Sequence, residues 1–136
     1  TVDSLLEDKV SDEYFITETC LNNIETYLED FKLNSRYSES HALLANEIRK
    51  SRCNFRCDGI SPCMTAKMGT GGNNIPVLVK EKRKLTEREC LRIMGYPDSY
   101  KIKENYHQSY KQIGNSVVVP IVRDISKQLV KIVKEN

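Results

Sequence analysis

Apolar residues recur at helical spacing in three segments of the chain, and the first segment follows a pair of threonines. Either Thr17 or Thr19 can cap a helix there, because a threonine hydroxyl accepts a hydrogen bond from a free backbone N–H. The residues 34–40 that come after this segment are polar and rich in serine, which indicates a loop. The apolar face of the predicted helix consists of Leu21, Ile24, Tyr27, Leu28 and Phe31.

The second helical segment carries signals for both of its ends. Thr86 followed three residues later by Glu89 is the pattern of a capping box, in which each side chain bonds the other residue's backbone. Gly95 is typical of the position just after a helix, and Pro97 cannot continue one. The sequence therefore predicts a helix from Thr86 that ends at Met94.

Residues 117–133 form the last helical pattern, with lysines on the side opposite to its apolar positions. A stripe of this kind is typical of a helix that packs on a core, so we expect it to be buried. Its members are Ile121, Ile125, Leu129 and Ile132.

Shorter apolar runs indicate extended segments at Tyr14 to Ile16 and at Ile75 to Val79. Residues 41–48 fit a strand or an extra helical turn, and both alternatives stay open. Residues 49–74 are basic and polar, and they end in a glycine-rich loop at 69–74. Together the patterns predict a mixed α+β fold of short strands and helices.

Length and composition allow one ordinary domain or a piece of a larger one. The chain has 136 residues, 39% of them apolar, which is enough for a modest core. It begins at Thr1 without an initiator Met, so we expect a processed chain or a fragment. No apolar run is long enough to span a membrane, and no signal-peptide pattern is present at the start.

The small net charge hides a division along the chain. Residues 1–40 hold ten acidic and three basic residues, a balance of −7, whereas residues 41–136 hold nine acidic and eighteen basic residues, a balance of +9. A basic region of this size fits a polyanionic partner such as nucleic acid, although it also fits a solvated basic face.

The cysteines favour a reducing compartment, and we expect the protein in the cytoplasm. They are five in number, an odd count that does not suit a disulfide framework: Cys20, Cys53, Cys57, Cys63 and Cys90. The central three cysteines do not have the paired C-x2-C spacing that is typical of zinc ligands, so we expect buried, inert thiols and no metal site.

Two segments resemble known motifs. Arg83 to Tyr100 reads RKLTERECLRIMGYPDSY, and Tyr110 to Pro120 reads YKQIGNSVVVP. In pairing, order and spacing they resemble the ninth and tenth motifs of the DNA (cytosine-5)-methyltransferases. Residues 59–74 are similar to the target-recognition region of that family, and residues 1–31 are similar to the segment that leads into it from the catalytic domain.

The resemblance implies two domains. Residues 1–106 would form the small target-recognition domain, including the ninth motif at 83–100, and residues 107–136 would belong to a Rossmann-like catalytic domain that is otherwise missing. The family's Gly-rich cofactor motif, Pro-Cys-Gln nucleophile and Glu-Asn-Val segment do not occur in the sequence. Cys63 follows Pro62 but precedes Met64, and we assign no catalytic residue to this chain.

The resemblance also implies roles for individual residues. The ninth-motif residues would organise the recognition region through charge-assisted hydrogen bonds; they are Arg83, Arg88, Glu89, Arg92 and Gly95. The residues that would line the cofactor pocket of the full enzyme are Asn115, Ser116 and Val117. The residues that would contact duplex DNA from two loops are Arg49, Lys50, Arg52, Arg56, Thr65, Lys67, Gly71, Gly72, Asn73 and Asn74.

The resulting hypothesis is the target-recognition and C-terminal portion of a DNA (cytosine-5)-methyltransferase of a bacterial restriction–modification system. Such a portion is inactive alone, and S-adenosylmethionine is expected only in the full enzyme. Its catalytic domain would be joined in cis or form a separate subunit. The alternative is a stand-alone nucleic-acid-binding module or a non-catalytic subunit of a split enzyme. Without the catalytic domain, the last helix would fold back on this chain or associate with a second copy.

Overall fold

The computed structural model describes residues 1–34, 37–70, 74–102 and 105–135. Helices and one antiparallel sheet alternate along these residues, which confirms the predicted α+β class. The helices are α1 (Glu18–Asn34), α2 (Glu87–Ile93), α3 (Tyr106–Gly114) and α4 (Val119–Glu135). The strands are β1 (Leu44–Arg49), β2 (Arg52–Arg56), β3 (Val77–Leu78) and β4 (Arg83–Lys84), and 3-10 helices occupy Val2–Leu5, Asp12–Tyr14 and Ala66–Thr70.

The sheet lies between two apolar clusters. Its strand order is β2-β1-β3-β4, and every neighbouring pair is antiparallel. Consecutive residues of a strand face opposite sides, so Ala45 and Val77 pack towards α1, whereas Leu44 and Leu78 pack towards α2 and α3. Residues 41–48, for which strand and helix both stayed open, contain β1. Residues 52–56 form β2, a strand that the sequence patterns did not predict.

The predicted caps of α1 and α2 are confirmed. Thr17 accepts a hydrogen bond from the backbone N–H of Cys20 (3.3 Å). Thr86 and Glu89 make both hydrogen bonds of a capping box at the start of α2. Gly95 follows that helix with φ +83°, a left-handed conformation that a residue with a Cβ adopts at a cost.

Helix α3 is an element that the sequence patterns did not predict. The Asn105 side chain caps it by accepting a hydrogen bond from the N–H of Gln108 (2.9 Å). Only Ser109, Tyr110 and Ile113 are buried on it, too few apolar positions to show a helical period. The predicted boundary at residue 106 coincides with its first residue, and the division into two domains stays a prediction.

Helix α4 departs from the expectation of a buried stripe. Ile121, Ile125, Leu129 and Ile132 are 55–58% exposed, and none of the described residues of α4 is buried. The prediction of burial within this chain is therefore wrong. Across the described ranges, no helix combines the length and apolarity that crossing a membrane requires.

Gly114 allows α3 to lie directly against the backbone before the 3-10 helix Ala66–Thr70. A Cβ at Gly114 would lie 2.1 Å from the Thr65 carbonyl carbon, a backbone atom that cannot rotate away. We therefore expect Gly114→Ala to lower the free energy of unfolding by about 1–3 kcal/mol, measured by urea denaturation. Gln112→Ala, an exposed change on the same helix, is the control. Equal midpoints for the two variants would contradict this packing.

Candidate nucleic-acid interface

Three basic side chains meet where β1 turns into β2. The two strands are joined by the turn Lys50–Ser51, and Arg49 stands directly opposite Arg52. Arg49, Lys50 and Arg52 are all exposed. Like charges directly opposite each other on a sheet destabilise the pair, so this arrangement is not explained by the folding of the hairpin. We call these three residues the hairpin tip.

Helix α1 holds the hairpin tip in place. The Tyr27 hydroxyl donates a hydrogen bond to the backbone carbonyl of Lys50 at the turn (2.8 Å). Further along the hairpin, the Phe31 and Phe55 rings pack with their centroids 5.0 Å apart. These contacts, which the sequence did not indicate, anchor the turn at one end and the strand at the other.

The hairpin tip is connected to the second predicted DNA-contacting segment. Arg49 Nη2 donates to Asn74 Oδ1 (2.8 Å), and Asn74 Nδ2 donates to the carbonyl of Lys67 (3.2 Å). Thr65 and Lys67 are exposed on the same segment. Gly71, Gly72 and Asn73 were also predicted to contact DNA and lie outside the described residues.

Arg56 is separated from the hairpin tip. It stands opposite Leu44 at the far end of β2, four residues from Arg52, which corresponds to about 13 Å along a strand. Its guanidinium forms two hydrogen bonds with Asp58 (2.7 and 3.2 Å), and this bonding lowers the pKa of the Asp58 carboxyl. Arg56 therefore lies apart from the other basic residues that were predicted on or near the first recognition loop, and its contact with DNA stays a prediction.

The ninth-motif segment contains a buried ion pair. Arg83 donates to both oxygens of Glu89 (2.8 and 2.9 Å), and both side chains are 5% exposed or less. Glu89 also accepts from the backbone N–H groups of Thr86 and Glu7, both at 2.8 Å. The Thr86 hydroxyl donates to the Glu7 carboxylate (2.5 Å). Glu7, to which no sequence signal pointed, thereby ties the start of the chain to α2.

The two half-buried arginines of α2, Arg88 and Arg92, bind the segments around the helix. Arg92 makes two hydrogen bonds with Asp98 (2.8 and 2.9 Å) and one with the carbonyl of Leu5 (3.1 Å). Arg88 donates to the carbonyl of Tyr100 (2.9 Å). These contacts are the charge-assisted hydrogen bonds expected of the ninth-motif residues.

The predicted cofactor residues lie between α3 and α4. Asn115 is the exposed C-cap of α3, Ser116 donates to the carbonyl of Ile113 (2.7 Å), and Val117 is exposed. The adjoining cavity, which Ser116 lines, has a volume of only about 40 Å³. A ligand pocket needs several hundred Å³, so this cavity is too small to hold a cofactor, and the assignment of the three residues stays a prediction.

The thiols divide by exposure. Burial raises the pKa of Cys20 and Cys90, and it raises the pKa of Cys53 to about 12. Cys63 is exposed, so the expectation of a buried thiol is wrong there. Within the described part of the chain, no group of three or more His, Cys, Asp or Glu residues could hold a metal ion.

Comparisons with known proteins identify relatives of the chain. Residues 1–131 match the sequence model of a family described as C-5 cytosine-specific DNA methylase. The Type II methyltransferase M.Bsp6I from Bacillus sp. (strain RFL6) is 36% identical over 130 residues, which cover 93% of this chain and 38% of that protein. The Type II methyltransferase M.HhaI from Haemophilus parahaemolyticus is 57% identical over 44 residues, covering 32% of this chain and 14% of that protein. This chain thus spans well under half the length of either relative. No solved structure matches it.

Proposed function

This chain belongs to the C-5 cytosine-specific DNA methylase family, and we propose that it is the target-recognition and C-terminal portion of a DNA (cytosine-5)-methyltransferase of a restriction–modification system. Its substrate is duplex DNA in the cytoplasm. The observation that carries the proposal is the link from Arg49 through Asn74 to Lys67, which connects the basic hairpin tip to a second predicted DNA-contacting segment. In a member of this family, such a surface is suited to phosphates and guanine edges.

The catalytic steps belong to a portion of the enzyme outside this chain. A cytosine inside a duplex must be flipped out before its C5 can react, so the DNA has to be gripped from two sides. We assign one side to the hairpin tip with Thr65, Lys67 and Asn74, and the other side to the catalytic portion. The buried Arg83–Glu89 pair joins β4, the edge strand of the sheet, to α2.

Helix α4 provides the contact with that catalytic portion. Its exposed apolar stripe needs a covering surface, because a large apolar patch in water is unfavourable. The same feature argues against a stand-alone nucleic-acid-binding module, which would leave the stripe exposed. Self-association through α4 stays a second way to cover it when the catalytic portion is absent.

S-adenosylmethionine, when bound to the complete enzyme, supplies the methyl group. We propose that the Asn115 and Ser116 side chains and the exposed surface of Val117 form one wall of its pocket. The end of α3 lies against the backbone at Thr65 because Gly114 has no Cβ. This contact fixes the proposed wall relative to the recognition surface.

A chimaera tests the proposed function. In it, this chain replaces the matched 130 residues of the Bacillus methyltransferase, and transfer of labelled methyl groups to a random duplex pool is followed by mapping of the modified cytosines. We expect methyl transfer by the chimaera and no transfer by this chain alone. Transfer by this chain alone, or no transfer by a folded chimaera, would contradict the proposal.

Asn115→Ala in that chimaera is expected to raise the KM for S-adenosylmethionine and to leave the methylated sequence unchanged. The reason is that Asn115 is exposed at the end of α3 and lies on the proposed cofactor wall, outside the hairpin tip. Steady-state kinetics with varied cofactor, together with site mapping, measure both quantities. Gln108→Ala, on the first turn of α3, is the control. An altered site preference with an unchanged cofactor KM would contradict the assignment.

A further inference from the structure

An extra residue interrupts β1 beside the hairpin tip. Asn46 stands opposite Asn54, and Arg49 stands opposite Arg52, so Glu47 and Ile48 together face Cys53 alone. This two-against-one arrangement is a β-bulge, which changes the direction of nearby side chains. Glu47 has φ +50°, a left-handed conformation that is uncommon for a residue with a side chain of this kind.

The bulge determines which side of the sheet Glu47 faces. In a regular strand, Ala45 and Glu47 would share a face, and that face packs on α1. With the extra residue, Ile48 joins Ala45 in the apolar cluster and is fully buried. The Glu47 carboxylate is left 41% exposed beside the outward side chains of β2.

One oxygen of Glu47 contacts Arg52, which the proposed function places against DNA, and also Asn54, two residues further along β2. Arg52 Nη2 lies 3.1 Å from Glu47 Oε2 in an ion pair, and the same oxygen accepts a hydrogen bond from Asn54 Nδ2 (3.0 Å). Exposed ion pairs contribute little stability, and a left-handed glutamate costs of the order of 1–3 kcal/mol. Fold stability therefore does not explain the arrangement.

We propose that Glu47 is a positioning residue that makes Arg52 selective for guanine. This inference rests on the proposed function. The ion pair with Glu47 holds the guanidinium at Nη2, and Arg52 still has more than the two N–H donors that a bidentate contact with O6 and N7 of guanine requires. Asn54 likewise keeps its amide oxygen and one N–H for a neighbouring base. A fixed guanidinium discriminates between bases, whereas a freely rotating one binds any phosphate within reach.

The alternative is that Glu47 only reduces the positive charge of the hairpin tip. The two roles differ in what removal of the carboxylate does. Either role predicts somewhat tighter non-specific binding, because one negative charge near the DNA is lost. Only the positioning role predicts that discrimination between bases decreases at the same time. A variant that failed to fold would lose the affinity for non-specific DNA as well as the affinity for the preferred sequence.

The test maps the sites that the complete enzyme, or the chimaera described above, methylates in a random duplex pool. Glu47→Gln and Glu47→Ala are compared with Asp58→Ala, which breaks the matched Arg56–Asp58 pair at the far end of the hairpin. We expect the preference for guanine at one position to fall by about 5- to 100-fold in both Glu47 variants, the range that one bidentate contact provides. Asp58→Ala should leave the preference unchanged. In an Arg52→Ala background, Glu47→Ala should have no further effect on it.

Selection of bound duplexes from the same pool by this chain alone gives a second measurement. A site preference that Glu47→Gln and Glu47→Ala leave intact would overturn the positioning role, as would an equal loss in the Arg52→Ala background. Absence of methylation by the wild-type enzyme would instead count against the proposed function. In that case, the duplex selection still decides the role of Glu47.

Discussion

Glu89→Ala is expected to lower the free energy of unfolding of this chain by about 3–5 kcal/mol, the range found when one partner of a buried ion pair is removed. The substitution leaves the Arg83 guanidinium buried without its carboxylate. It also removes the acceptor for the N–H groups of Thr86 and Glu7. The start of the chain and the first turn of α2 would therefore lose a shared anchor. Urea denaturation followed by circular dichroism measures the change.

Asp98→Ala is the matched control for that change. It removes a carboxylate that also makes two hydrogen bonds with an arginine, Arg92, but Asp98 is 62% exposed. Exposed pairs contribute about 0–1 kcal/mol, so a small effect is expected. Similar losses for the two variants would show that burial of the Arg83–Glu89 pair has no special importance.

Local signals made parts of the fold predictable. The ends of α2 follow from Thr86, Glu89 and Gly95, because capping depends on residues within a few positions of each other. The apolar residues of α1 recur every three or four positions, so they too are a signal that lies within a short stretch of the sequence. In contrast, Glu7 binds Thr86 and Glu89 across nearly eighty residues, and no local pattern encodes a contact of that kind.

The basic residues of the candidate interface were found from the sequence, but their grouping was not. Charge and resemblance pointed to residues 49–67 without showing that β2 separates Arg56 from Arg52. The bulge at Glu47 was equally hidden, because a shift of one residue in strand register leaves composition unchanged. The exposed stripe of α4 was predicted to be buried because an amphipathic pattern requires a covering surface without specifying which molecule provides it.

Arg49→Ala with Arg52→Ala is expected to weaken non-specific binding of duplex DNA by this chain roughly 60-fold at about 0.1 M salt, because on a duplex without the target guanine each arginine neutralises one phosphate. Each phosphate contact releases counterions and contributes about 0.9 to the slope of log K against log salt, so the double variant should flatten that slope by nearly two. Titration of a fluorescent duplex at several salt concentrations measures both quantities. The structure selects this pair because Arg49 and Arg52 stand opposite each other at the hairpin tip, whereas Arg56 is paired with Asp58.

The double variant Lys127→Ala, Lys131→Ala removes the same charge from α4. It distinguishes DNA binding at the hairpin tip from binding over the whole basic surface of the chain. Both lysines are exposed and have acidic neighbours on their own helix, Asp124 and Glu135. Their face of the chain is the one we assign to the catalytic portion, so the slope should stay nearly unchanged in this variant. If the two double variants flattened the slope equally, the affinity for DNA would depend only on the total charge of the chain. The hairpin tip would then lose its assignment as the DNA-contacting surface, and with it the proposed role of Arg52.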